Sequence, residues 1–335
     1  MPATDIGIDL GTSNIVIWYK NKGIIVHEPT MVAYDKENDK IVAYGEEARQ
    51  LVARSQGSIV AIRPFKAGTI SDYSVTEKLM WHYIQVAMGR QMFRKPYISI
   101  CMPSGVTEVE RRAVEEAGYQ SGARDVTIVE GTVAAAIGAG IDITKPVGNL
   151  IVDIGGGTTD IAVLSLGAPV IRDSLKVAGS TFNDMIARNI RRNHSLFIGN
   201  EQIEAVKVRI GTCFKRPKSE SMQVSGRNVM TGLPKTVSVT SEEIREALHD
   251  ATGRIADAVH GVLEKTPPEL AADITTRGIV FTGGSALLDG LTELIEERTG
   301  INVMVAENPG DCVAIGAGRY VEMMDRIGRM DYYSS

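Results

Sequence analysis

Asp153-Ile154-Gly155-Gly156-Gly157-Thr158-Thr159-Asp160 sits between two apolar runs, Leu150–Ile154 and Ile161–Leu164. Short β-rich runs around glycines and hydroxylated residues read as two strands joined by a tight turn. The same layout stands near the N-terminus. There Ile6-Gly7-Ile8-Asp9-Leu10 and Ile15-Val16-Ile17-Trp18-Tyr19 flank Gly11-Thr12-Ser13-Asn14, with a third strand expected over Gly23 to His27. Asp9 and Asp153 close the first strand of each unit and lie 144 positions apart. That interval is too long for a solenoid repeat and suits a duplicated domain.

A loop that surrounds phosphate oxygens needs glycines, so that backbone N–H groups can approach, and hydroxyls as further donors. Gly11, Thr12, Ser13 and Asn14 supply both, as do Gly155, Gly156, Gly157 and Thr158. Asp9 and Asp153 are placed to hold Mg²⁺ through water, because that ion keeps much of its hydration shell. One such hairpin alone reads equally well as a simple turn, whereas two facing loops would close on a triphosphate from both sides. The chain has no Gly-Lys pair for a P-loop, and its triple glycine leads into a strand instead of a helix, which excludes a dinucleotide fingerprint.

Outward from these loops, Thr107-x-x-Glu110 and Thr240-x-x-Glu243 have the form of capping boxes. The first opens a helix with Val109, Ala113, Val114 and Ala117 as its apolar positions, the second one through Ile244, Leu248, Ile255 and Val259. Asn308-Pro309 starts a C-terminal helix. Strands followed by helices recur in each half, so the class is α/β. The stretch from Lys215 to Lys235 is the most loop-like interior segment.

The chain has 335 residues, enough for two domains, with 44% hydrophobic and 23% charged residues, ordinary for a globular protein. A formal charge of −5 offers no general attraction to nucleic acid, so any bound anion must be held locally. Cys101, Cys213 and Cys312 are odd in number and widely spaced, which argues against a disulfide framework and suits a reducing cytosol. The five histidines lack zinc spacing, and no nucleophile elbow is present. The N-terminus lacks the features of a secretory signal, so a cytoplasmic location is expected.

These motifs resemble the actin, Hsp70 and sugar-kinase ATPase superfamily, and within it the MreB-like bacterial actins. The resemblance runs nearly end to end: Asp9–Asn14, Pro103–Ala113, Ala134–Gly140, Asp153–Asp160, Thr266–Ala271, Thr282–Leu288 and Asp311–Gly318. It implies an actin-like duplicated fold, two lobes with mixed sheets and ATP with Mg²⁺ in the cleft between them. Residues 1–30, 64–145 and 310–335 would form the first lobe's core with 31–63 as its small subdomain. Residues 146–178 and 248–309 would form the second core, with 179–247 as its small subdomain.

The resemblance also distributes roles. Glu204, Ala205, Val206 and Lys207 match the helix that meets ribose and adenine; by spacing alone Glu204 and Lys207 read as a solvated i,i+3 ion pair. Gly283, Gly284, Ser285 and Ala286 match the adenosine loop. Glu130 and Thr158 are the candidate catalytic residues. The family's water-orienting glutamate falls at Gly131, with Glu130 one residue early, a rotation of about 100° on a helix. A glutamate in that role contributes about 10²–10⁴-fold, so the departure predicts slow hydrolysis with binding retained. Ile15, Ser180 and Ser285 are smaller departures.

Met92 and Phe93, among Arg90, Arg94 and Lys95, match the membrane loop of MreB-like proteins. Taken as residues alone they could equally tuck into the core. The function implied is a filament-forming cytoskeletal protein, peripheral on the inner face of the cytoplasmic membrane, partnered by copies of itself and by the cell-wall elongation machinery. The alternatives are a small-molecule, sugar-type kinase, which needs a base for the substrate hydroxyl, and a chaperone, which needs a further domain of roughly 150–200 residues.

Overall fold

The computed structural model describes residues 5–320 and 323, apart from 56, 67, 90–94 and 104. Two five-stranded sheets carry the fold, and their strand orders are the same. In the first, Gly23–Pro29, Asn14–Tyr19 and Ile6–Leu10 run antiparallel to their neighbours, and Tyr97–Met102 and Asp125–Glu130 continue in parallel. In the second, Ala168–Leu175, Thr159–Ser165 and Asn149–Ile154 are antiparallel, followed in parallel by Ile279–Thr282 and Val303–Val305. The duplication read from sequence is therefore a repeated sheet topology, with each Gly-rich turn between the two central hairpin strands.

Small additions leave each half. Val32–Asp35, Lys40–Tyr44 and Ile59–Ile62 form a three-stranded sheet beside helix Gly45–Arg54. In the second half Leu196–Phe197, Ser221–Asn228 and Pro234–Thr240 form another, beside helices Gly179–His194 and Asn200–Ile210. The loop expected from Lys215 to Lys235 is thus largely a β-hairpin. Its polar, Ser-rich strands bury little besides Val224 and Val239, so the apolar alternation that marks a strand is faint.

Both capping boxes form. Thr107 Oγ1 accepts from the Glu110 backbone N–H at 3.2 Å, and Thr240 Oγ1 accepts from that of Glu243 at 3.3 Å. Helix Ser241–Glu264 then lays Ile244, Leu248, Ile255 and Val259 against the second sheet, all fully buried. At about 1.5–3 kcal/mol for each such side chain, this face is a main source of that half's stability. In helix Glu108–Gln120, Val114 and Ala117 are buried, but Val109 is exposed in the first turn, contrary to its expected place on the apolar face.

A third apolar cluster draws on both halves. Cys101, Val129, Val133 and Ile137 pack with Ile151, Ala162 and Leu164 of the second sheet and with Val313 and Ala317 of a helix over 312–320. Backbone approaches are close here, since a Cβ on Gly316 would stand 2.5 Å from the Ala134 carbonyl carbon.

Candidate functional site

The two Gly-rich turns meet. A Cβ on Gly156 would lie 2.6 Å from Ser13 Cβ, and one on Gly157 would lie 2.8 Å from Thr12 Cβ. Only glycine lets the loops come this close while their N–H groups stay available. The first loop is held by buried Thr30, whose Oγ1 donates to the Gly11 carbonyl and whose N–H donates to that of Ser13, both at 2.8 Å. The second is closed by the Gly155 N–H donating to the Thr158 carbonyl at 2.9 Å. Thr158 Oγ1 donates to Asp160 Oδ2 at 2.8 Å, which fixes the hydroxyl at the lip of the loop.

Asp153 lies near enough to Asp9 for its charge to act on it. Burial first, then the charges of Asp153 and Asp311, push the Asp9 carboxyl up to about 8. Burial, then Asp160, pushes Asp153 up to about 7 against a hydrogen bond from Thr282 Oγ1 at 2.9 Å. Each carboxylate still keeps part of its surface open. Two neighbouring carboxylates that resist carrying charge together, with room beside them for water, are a donor set that fits a hard, hydrated cation such as Mg²⁺. Among the described residues no group of three or more His, Cys, Asp and Glu gathers as a direct metal site.

The other expected contacts converge on the same region. Gly283, at a φ of +82°, donates its N–H to the Pro309 carbonyl at 2.8 Å, and a Cβ there would meet the Ile154 backbone. Ser285 Oγ donates to the Gly155 carbonyl at 2.8 Å, tying the segment Gly283–Ala286 to the second Gly-rich loop. Ser180 and Gly179 donate their N–H groups to Gly156 and Gly155 at 2.7 and 3.2 Å. Glu204 and Lys207 share one face of helix Asn200–Ile210, with Lys207 Nζ and Asn183 Nδ2 each 2.8 Å from Glu204 Oε2. Burial works to raise the Glu204 carboxyl, but these two donors outweigh it and hold it below its ordinary value. Ala205 and Val206 lie between them, with Val206 fully buried.

Glu130 is the N-cap residue of helix Gly131–Gly138, and its Oε2 accepts from Arg172 Nη1 of the second sheet at 3.2 Å. Gly131 follows it with no side chain; a Cβ there would meet nothing nearer than the Met102 carbonyl oxygen at 3.4 Å. Met92 and Phe93 lie outside the described residues.

One element escaped the sequence reading. The short hairpin of Phe65–Lys66 and Thr69–Ile70 brings Gly68, at a φ of +75°, between the two Gly-rich loops. Its N–H donates to Thr12 Oγ1 at 3.1 Å, and a Cβ would stand 2.7 Å from Thr158 Cγ2. Fifty-six residues separate Gly68 from Thr12, so no local pattern signals the contact.

The geometry has counterparts. A profile of the MreB/Mbl protein family matches residues 3–329. The chain is 48% identical over 327 residues to the cell shape-determining protein Mbl of Bacillus subtilis, covering 98% of each. It is 42% identical over 333 residues to the cell shape-determining protein MreB of Escherichia coli K12, covering 98% of this chain and 96% of that one. The crystal structure of MreB5 of Spiroplasma citri bound to ADP superposes with a TM-score of 0.88 at 37% identity, covering 95% of this chain and 98% of that one. The same protein bound to AMPPNP gives 0.89 at 36% identity, covering 97% and 98%.

Proposed function

The chain belongs to the MreB/Mbl family of cell shape-determining, actin-like proteins, and from that premise we propose that it is a filament subunit whose assembly is governed by ATP held between its lobes. That membership favours the cytoskeletal reading over a sugar kinase. The observation carrying the nucleotide site is the meeting of Gly156 and Gly157 with Ser13 and Thr12, together with two carboxylates close enough to interact by charge. MreB5 of Spiroplasma citri, 37% identical to this chain, is known bound to ADP.

In this reading N–H groups of residues 11–14 and 156–158, with the hydroxyls of Thr12 and Ser13, grip the phosphates from both sides, and Glu204 with Lys207 and the segment Gly283–Ala286 frame the nucleoside. Asp9 and Asp153 orient the waters of Mg²⁺, which supplies countercharge to the phosphate oxygens. Contacts made from both lobes at once favour the closed arrangement by differential affinity. Longitudinal contacts between closed subunits are heterologous and non-closing, so they build a filament instead of a ring. Met92 and Phe93 serve as weak membrane anchors that avidity multiplies along the polymer. The filament then lies under the cytoplasmic membrane and directs the cell-wall elongation machinery. Among the described residues no helix is long and apolar enough to cross a membrane. Glu130 is engaged by Arg172 and Gly131 offers no carboxylate, so hydrolysis is slow.

Sedimentation with and without ATP and Mg²⁺ tests the proposal. Polymer should pellet only with both. A chain that stays monomeric while phosphorylating a sugar overturns it.

A further inference from the structure

Among the described residues, two ion pairs join opposite halves of the molecule. Arg172 with Glu130 is one. The other lies between the small additions, where Arg49 Nη1 stands 3.7 Å from Glu201 Oε1. Arg49 is carried by helix Gly45–Arg54, and Glu201 by the first turn of helix Asn200–Ile210, three residues before Glu204. Glu46, one turn before Arg49, grips the guanidinium through Nε at 2.9 Å and Nη2 at 3.0 Å. The third nitrogen is thereby left pointing across the gap. Arg63 is close enough to feel the Arg49 charge, so folding the guanidinium back would bring it against a like charge.

We infer that Arg49 and Glu201 form a charge latch between the two small additions, one that slows opening of the cleft and so sets how fast bound nucleotide leaves. The effect on release rests on the nucleotide reading above; the latch itself does not, since it is read from the Arg49–Glu201 approach alone. A contact present when closed and broken when open acts on the opening rate. Both side chains are well exposed, 45% and 69%, so the effect is modest, about two- to fivefold. Salt must weaken it, because the pair is screened over about 8 Å at physiological ionic strength.

The full chain carrying Glu201→Gln, Glu201→Arg, or Arg49→Glu with Glu201→Arg tests this with two readouts. Spin labels at Lys36→Cys and Val208→Cys, both exposed positions, report the gap, and the three native cysteines are buried away from the reagent. Stopped-flow release of N-methylanthraniloyl-ATP reports the rate. Glu201→Arg should lengthen the label distances and speed release two- to fivefold, with Glu201→Gln between it and the wild type. The double variant should restore both, and 1 M salt should make the wild type resemble Glu201→Gln. Distances and release unchanged in Glu201→Arg overturn the latch. If no variant binds the analogue, the nucleotide reading falls and the label distances alone decide the latch.

Discussion

Asp9→Asn should make the ligand-free protein more stable, relative to wild type, as pH rises, while abolishing its gain from Mg²⁺ and nucleotide. Asp9 is pushed from 3.8 up to about 8 and Asp153 up to about 7, chiefly by burial and then by neighbouring carboxylates. A carboxyl that titrates higher when folded binds extra proton in the folded state. Its favourable contribution is therefore present at low pH and lost as pH rises from about 4 through the folded value. One such group costs up to about 1.4 kcal/mol per pH unit in that window, so about 2.7 kcal/mol between pH 5 and 7 is an upper bound. Both carboxylates keep part of their surface open, so solvent screening brings the effect nearer to about 1 kcal/mol. At about 2–4 °C per kcal/mol for a domain of this size, the apo melting temperature of Asp9→Asn relative to wild type should rise by a few degrees between pH 5 and pH 8. Differential scanning calorimetry in EDTA, at pH 5, 6, 7 and 8, measures this. Adding Mg²⁺ and ATP should raise the wild-type value and leave the variant nearly unmoved. An Asp9→Asn offset that is constant across pH, or one that falls as pH rises, refutes the shared-charge account of the site.

Gly156→Val should lower nucleotide affinity at least tenfold in fluorescence titration with little change in fold by circular dichroism, since its Cβ would press on Ser13 Cβ, 2.6 Å away; unchanged affinity would separate the two loops functionally. Gly131→Glu should raise phosphate release about 10²-fold if that position faces the attacking water, and a Cβ there makes only an ordinary contact with the Met102 carbonyl oxygen at 3.4 Å; a wild-type rate that is already brisk removes the argument. Met92→Ser with Phe93→Ser should abolish co-sedimentation with anionic liposomes while polymer still pellets, and unchanged lipid binding rejects the anchor role. Ile255→Ala, in a fully buried position, should cost about 2–5 kcal/mol in urea unfolding; a loss under 1 kcal/mol would place that helix face outside the core.

What the sequence showed best were features with a local cause. An aspartate at a strand end before glycines and hydroxyls marks each hairpin turn, and a Thr with a Glu three residues on marks each helix start; both hold in the structure. The hairpin at 221–240 was hidden because its exposed positions outnumber its buried ones, leaving polarity without period. Val109 stands at the second helical position after the Thr107 cap and is exposed, so helical spacing does not imply burial in that first turn. Contacts across the molecule carried no trace at all. Gly68 reaches Thr12, Arg172 reaches Glu130 and Arg49 reaches Glu201 only because the duplicated sheets set those elements opposite one another.

That opposition also explains how a ligand can govern the shape. On one side the halves share a buried apolar cluster around Val133, Ile137, Ile151, Leu164 and Ala317, where each side chain is worth about 1.5–3 kcal/mol and separation is prohibitive. On the other side the ion pair between the small additions joins two exposed charges and is worth about 0.2–1 kcal/mol. A joint that is strong on one side and weak on the other opens like a hinge. Between the two sides lie two Gly-rich loops in close contact and carboxylates whose charges oppose one another. A phosphate chain with its cation converts that repulsion into attraction, and a differential of a few kcal/mol is enough to carry such a two-state element from mostly open to mostly closed.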